Sequence, residues 1–599
     1  MALPRRWKRG GPDSRADSPS RTAGPTERAS AADRHLTLAM ATEAVHPPRA
    51  VSGRPGAGRY GVSALGRRAV PLLVVFLVLA LVACGGGGPP AGTGDVTPLG
   101  PTKRITATPL ETAKAKLVAL GARALFYGAD PGDHAAALAA GDFNGDGIRD
   151  LVLASSQADG PGNARPEAGE VYIFYGPLSP GRARDTSLGE QDVTIYGARA
   201  GDQAGRAVAA GDLNGDGIDD IVIGVPFADG PDGSRTDAGE AAVVFGSSGL
   251  PLVVDLGSAG ADVTIYGADA GDFAAFALAV ADVSGDGVAD VAVGAFAAGG
   301  PDNARGSAGE VYVVFGSHRL SRAIDLAAGE QAVTLYGAKA GDRLGESVGA
   351  GDVNGDGVAD LLAAAPFARQ AAGETYVIPG GASMPAVIDI AAGGRQTTLL
   401  GPDAGDQAGH SLASGDVDGD GVGDILLGAV SADGPENRRD LAGEAFLVPG
   451  RNLGPGTIGV AGGGHEVRFY GAHGGDRLGR AVAVGDLNGD RLADLLLDAS
   501  GAGGPEAGRA DAGVVYVYFG SVGLPRVLDL ASTPAELMLV GDDAEDVLGS
   551  GVFGRPSLLV ADMDGDGLND VVVSAPGGDG PVNDRTDTGE AFIVFIKER

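Results

Sequence analysis

The sequence predicts an all-β fold, a seven-bladed β-propeller of four-stranded antiparallel blades. Three observations carry this. The phrase Asp-x-Asn-x-Asp-Gly-x-x-Asp, or a close variant, begins at Asp142, Asp212, Asp282, Asp352, Asp416, Asp486 and Asp562. Successive starts lie 70, 70, 70, 64, 70 and 76 residues apart, and a fixed period marks one supersecondary unit used repeatedly. Each unit holds four short apolar runs bounded by turn residues, and four-stranded sheets repeated radially are propeller blades.

The second repeat shows the internal order. Val193-Thr194-Ile195-Tyr196-Gly197 is one strand, followed by Gly201-Asp202 and then the run Arg206 to Ala210. The acidic loop and Ile221 to Gly224 come next; a loop from Pro226 to Gly239 leads to Ala241 to Gly246. The ends of the chain predict how the ring closes. The last repeat stops after Ala591 to Phe595, and Ala124 to Gly128 is a strand with no blade of its own. That strand is expected to complete the last blade and cover its edge.

The acidic phrase reads as a cation loop. Oxygens at positions 1, 3, 5 and 9 and the backbone carbonyl at 7 can wrap one hard cation, and calcium accepts such a set. The expected ligands are Asp142, Asn144, Asp146, Ile148 and Asp150; Asp212, Asn214, Asp216, Ile218 and Asp220; Asp282, Ser284, Asp286, Val288 and Asp290; Asp352, Asn354, Asp356, Val358 and Asp360. The remaining loops offer Asp416, Asp418, Asp420, Val422 and Asp424; Asp486, Asn488, Asp490, Leu492 and Asp494; Asp562, Asp564, Asp566, Leu568 and Asp570. Up to seven Ca2+ ions are expected. These are not EF-hands, because position 12 is Leu153 or Ile223 rather than Glu and the flanks read as strands. Glycine stands at position 6 except in loop six, where Arg491 is expected to cost about 1 kcal/mol if that position needs positive φ. A count of carboxylates ranks loops five and seven tightest, while Arg491 in loop six and the weaker ligand Ser284 in loop three rank those two emptiest.

With these residues in view, the chain resembles the FG-GAP repeat, the blade unit of the integrin alpha-subunit propeller and of many bacterial surface proteins. The matching words are Phe245-Gly246, Phe315-Gly316, Gly224-Val225-Pro226 and Ala575-Pro576, with the acidic phrase between them. The resemblance covers residues 122–596 and implies a calcium-binding adhesion module. In integrins only some blades carry calcium loops; here all seven do. No inserted domain is expected between the second and third repeats, and no leg domains or membrane span after the last.

Charge and the N-terminal segment bear on location. Residues 1–83 hold 13 basic and 5 acidic side chains, a net +8; the rest hold 32 and 73, a net −41. An acidic body argues against nucleic acid as a partner. Residues 1–66 read as a disordered leader or the product of a mis-chosen translation start, with Met40 an alternative start. Residues 67–83 read as a signal segment: Arg67-Arg68, then an apolar run from Ala69 to Ala83, short for a membrane span. It ends in Leu81-Val82-Ala83-Cys84, which resembles the bacterial lipoprotein signal and implies lipidation of Cys84. Residues 84–107 form a flexible tether, and 108–121 a short helix with Thr108, Pro109, Glu111 and Gly121 at its cap positions. The expected location is the bacterial cell envelope, exported and lipid-anchored.

The rim opposite the cation loops carries Arg165, Arg235, Arg305, Arg439, Arg509 and Arg585, each five residues before a repeated Glu position. The same rim carries Asp133, Asp202, Asp272, Asp342, Asp406, Asp476 and Asp546. These are expected to pair and hold the rim. Breaks in the repeat are the better site candidates: a loop shortened by six residues between Pro366 and Gly373, and a segment lengthened by six from Asp546 to Asp562. No zinc spacing or phosphate-cradling loop occurs, and His134 and His410 are the rim candidates for acid–base work. The reading is a monomeric, non-catalytic surface module that binds an extracellular protein or glycan. The alternatives are a polysaccharide lyase or hydrolase with a site on that rim, and a structural envelope spacer.

Overall fold

A computed structural model describes residues 118–598, apart from 259, 463–465, 505–509, 542 and 551–556. Seven sheets follow one another along the chain. In blade one, Ala137–Gly141, Asp150–Ser155, Glu170–Phe174 and Val193–Tyr196 run antiparallel from the inside outward. The innermost strands of neighbouring blades touch all the way round, and Ala137–Gly141 meets Leu558–Ala561 across the seam.

Alternation in the second strand explains why these runs are strands. Ile221 and Ile223 pack in the layer between blades one and two, while Val222 packs in the layer between two and three. Successive side chains of a strand point to opposite faces, so a strand buried on both faces reads as a continuous apolar run. The glycine of Phe245-Gly246 has its own reason. Its N–H donates to Asp220 Oδ1 at 2.9 Å, and a Cβ there would lie 2.2 Å from the Asp219 carbonyl oxygen.

The ring closes as expected. Val118–Tyr127 pairs antiparallel with Glu590–Glu598, with Ala124 opposite Ile593 and Tyr127 opposite Glu590. Two expectations are corrected. Residues 118–121 belong to that strand and not to a helix; the rest of the expected helix lies outside the described residues, as do the leader, the signal segment with Cys84, and the tether. Blades also carry a fifth strand. Val253–Asp255, from the linker between strands three and four of repeat two, adds in parallel to the outer edge of blade one. Among the described residues, each sheet except the sixth has such an edge. In blade seven, strands three and four are not joined by a linker of this kind, so blade six receives none.

Candidate functional site

The seven acidic loops share one backbone design. In loop one, Asp142 Oδ1 accepts from the N–H groups of Gly145 (2.8 Å) and Asp146 (3.0 Å), and Oδ2 from Gly147 (2.8 Å). Asn144 Oδ1 takes the N–H of Asp146, and Asp146 Oδ1 takes that of Ile148, both at 2.9 Å. Asp150 is fully buried and accepts from Phe143 N–H at 2.9 Å and Gly176 N–H at 2.8 Å, while burial pushes its carboxyl up to about 7. Position 9 is therefore a hub that joins the loop to the strand linker. The other loops repeat these bonds around Asp212, Asp282, Asp352, Asp416, Asp486 and Asp562.

The donor set is entirely oxygen, which suits a hard cation. In loop five, carboxylate oxygens of Asp416, Asp418 and Asp420 lie within 4.8 Å of one another, as do those of Asp562, Asp564 and Asp570 in loop seven. Arg491 at position 6 of loop six has φ 71°, and its N–H still reaches Asp486 Oδ2 at 2.7 Å. Positive φ is thus imposed there on a residue that disfavours it.

The opposite rim divides into scaffold and departure from it. The repeated arginines are scaffold, but their partners are not the aspartates expected. Arg165 grips Asp255 with two bonds of 2.6 and 2.7 Å, and Arg235 grips Asp325, Arg305 grips Asp389 and Arg439 grips Asp529 in the same manner. Each partner ends a fifth strand supplied by the next repeat, so the pair latches two repeats together. Asp133, Asp272, Asp476 and Asp546 instead cap their own loops, as when Asp272 accepts the N–H of Asp269 at 3.2 Å. The expected glutamates also bond elsewhere: Glu310 accepts from the Tyr312 hydroxyl at 2.6 Å, and Glu444 from Arg468. Arg509 lies outside the described residues.

Sequence reasoning missed Arg369. It also stands five residues before a Glu, at Glu374, but the shortened loop hides it. Its Nη1 donates to the Gly401 carbonyl at 2.9 Å, as Arg165 donates to Gly197. Gly459 replaces the partner aspartate, so this latch is half made. The loop around it turns through Arg369, Gln370 and Ala371, all with φ between 54° and 63°. Three successive non-glycine residues in the left-handed region store strain of about 1 kcal/mol or more each.

Beside this notch the repeat breaks chemically. Blades two to four carry Phe227, Phe273, Phe276, Phe296 and Phe367, all partly exposed on this rim. Phe273 stacks on Phe296 at 5.6 Å, and Phe276 meets Phe296 edge-on at 4.6 Å. Arg343 lies 4.3 Å over Phe367 and Arg206 lies 4.7 Å over Phe276. A cavity of about 370 Å3 opens beside them into the central channel, lined in part by Phe276, Glu346, Ser411 and Arg480. Burial pushes Glu346 up to about 7 and Arg206 down to about 10. His410, at the start of an inner strand, is pushed down to about 4 by burial and by Arg480. His134 sits apart from it, with Nδ1 3.1 Å from the Pro576 carbonyl oxygen. The structure therefore does not bring the two candidate histidines together.

Comparison with known proteins agrees with this architecture. Residues 134–174, 204–244, 344–378, 478–518 and 555–594 match the FG-GAP repeat. Integrin alpha pat-2 of Caenorhabditis briggsae is 31% identical over 258 residues, covering 39% of this chain and 19% of that protein. Integrin alpha-PS2 of Drosophila melanogaster is 29% identical over 278 residues, covering 44% and 18%. Phosphatidylinositol-glycan-specific phospholipase D of Bos taurus is 35% identical over 168 residues, covering 27% and 19%. The matched segment spans about a fifth of each relative's length. The chain thus carries FG-GAP repeats in a seven-bladed propeller, and over part of its length it is homologous to integrin alpha subunits.

Proposed function

We propose that this protein is a non-catalytic binding module of the cell envelope, held up by calcium in its acidic loops and anchored through a lipid on Cys84. Its ligand is an extracellular protein or glycan, bound on the rim opposite those loops. The observation that carries this reading is the partly exposed phenylalanine–arginine cluster beside the notch of blade four. Partly exposed aromatic faces rimmed by arginine offer stacking and charged hydrogen bonding together, the composition that dominates recognition surfaces. Elsewhere the rim repeats its latches, and repetition serves the ring.

The name of the bovine relative gives the rival reading, an enzyme acting on a lipid-linked glycan. His410, held neutral down to about pH 4, is a weak base at neutral pH, which favours binding over acid–base turnover. The test is a glycan and surface-protein array probed with wild type and with Phe296→Ala/Arg343→Ala. Saturable binding that falls at least about tenfold in the variant, with an unchanged melt, supports the reading. Turnover of a polysaccharide or glycolipid by wild type would overturn it, as would binding indifferent to the substitutions.

A further inference from the structure

Five loops carry an amide or hydroxyl at position 3: Asn144, Asn214, Ser284, Asn354 and Asn488. Two carry a carboxylate, Asp418 and Asp564. A second position varies in step with this one. It is the residue directly after the one whose N–H caps the position 9 aspartate. In the five loops it is Pro177, Ser247, Ser317, Gly381 and Ser521. In loop five it is Arg451, and in loop seven Lys597.

Both basic side chains reach into their loops. Arg451 Nη1 donates to Asp418 Oδ2 and, at 2.8 Å, to Asp420 Oδ2. Lys597 Nζ donates to Asp564 Oδ2 and, at 2.7 Å, to Asp566 Oδ2. Both contacts fall on the carboxylates at positions 3 and 5, two of the expected cation ligands of each loop. The asparagines show why the carboxylate needs such company. Asn354 Nδ2 donates to Asp360 Oδ1 at 2.8 Å, tying position 3 to position 9. An aspartate cannot donate, and it sets another negative charge beside a buried carboxyl. A guanidinium in one loop and an ammonium in the other share a charge rather than a shape.

We infer that Arg451 and Lys597 are tethered counter-cations that take the place of calcium in loops five and seven, so that the ring runs on five calcium sites and two internal cations. This rests on the calcium reading above, and it reverses the ranking that a count of carboxylates gives. The tethered charge is a competitor at very high effective concentration, since it never leaves the loop. It does not saturate the loop, because Asp418 Oδ1 and Asp564 Oδ1 are buried without a hydrogen-bond partner. Calcium binding there is therefore weak rather than forbidden.

The test is site occupancy, read by anomalous scattering from crystals of the full chain equilibrated at stepped calcium concentrations. In wild type, loops one, two and four should fill first, three and six next, and five and seven last. Arg451→Ala/Lys597→Ala should strengthen calcium binding at loops five and seven by about tenfold or more. Early filling of those loops in wild type, or no change on substitution, overturns the inference. If no loop takes calcium in either protein, the calcium reading fails on its own account. Melts in excess chelator then decide the internal cations: a lower melt for Arg451→Ala that Arg451→Lys restores upholds the counter-cation role, and an unchanged melt removes it.

Discussion

Arg585 and Asp185 stand 400 residues apart in the sequence and meet in a two-pronged ion pair, with bonds of 2.9 and 2.6 Å. It is the same latch that joins successive repeats elsewhere, here drawn across the seam between blades seven and one. Both side chains are largely buried, at 15% and 12% exposure. Arg585→Ala is expected to cost about 2 kcal/mol, since it leaves a partly buried carboxylate unpaired. Arg585→Lys should recover only part of this, because an ammonium cannot form the fork. Arg369→Ala, which loses one bond to a carbonyl, should cost about half as much. Denaturant titrations of the three variants check the order; equal losses would show that the fork adds nothing.

Closure of the seam gives a second expectation. Because Val118–Leu120 already pairs with Ile596–Glu598, a deletion of residues 84–117 should leave the melt nearly unchanged. A deletion of residues 84–130 removes the outer strand of blade seven, exposes the ladder beneath it and frees the Ala183–Asp185 edge strand. Its melt should fall sharply and lose cooperativity. Similar melts for the two would refute this account of closure.

Arg491→Gly in loop six should stabilise the protein by about 1 kcal/mol, because the native φ of 71° suits glycine and strains arginine. A urea midpoint that moves down on this substitution would mean that the arginine side chain contributes more than its backbone costs.

These contrasts show what was legible in the sequence. Period and pattern specified the blades, the seam and the acidic loops, because each is a local phrase repeated in register. The latch was half legible. Arginine recurs at a fixed distance before Glu, but its partner is about 90 residues away in a three-residue strand too short to leave a pattern. The helix expected at 108–121 failed where it can be followed, because local cap signals lost to ladder bonds with residues at the other end of the chain. Position 4 of the loops was also passed over. Gly145 has φ 75° and its counterparts are alike, so two adjacent turns, not one, need left-handed backbone.

Rim carboxyls predict a pH dependence. Burial pushes Asp133, Asp272, Glu240 and Glu444 up to about 7. Their folded forms hold protons that the unfolded chain has released, so the stability they confer is complete below about pH 4 and is lost as pH rises through about 7. Latch aspartates 255, 325, 389 and 529 are held below the usual carboxylate range by hydrogen bonds from their arginines, so theirs is present above about pH 4 and lost as pH falls further. With calcium in excess, the melting temperature should peak between about pH 4 and 6 and decline toward 8. Asp272→Asn should soften that decline; a flat profile from pH 5 to 8 would contradict the assignment.

Anchoring is checked separately. Cys84→Ala should move the protein from the membrane fraction to the soluble fraction, since a lipid on that cysteine is the proposed hold on the membrane. Unchanged membrane retention of a normally processed variant would rule the lipid out.

The strand Val118–Tyr127 enters the ring at the rim of the acidic loops and leaves it at the rim of the phenylalanine cluster. A pull on the chain before Val118, away from the opposite rim, would load this strand lengthwise, antiparallel to Glu590–Glu598. Force in that direction slides the two strands past each other, so their hydrogen bonds bear the load together rather than opening one at a time. The place where the circle of blades is sewn shut is then also one oriented to resist being torn.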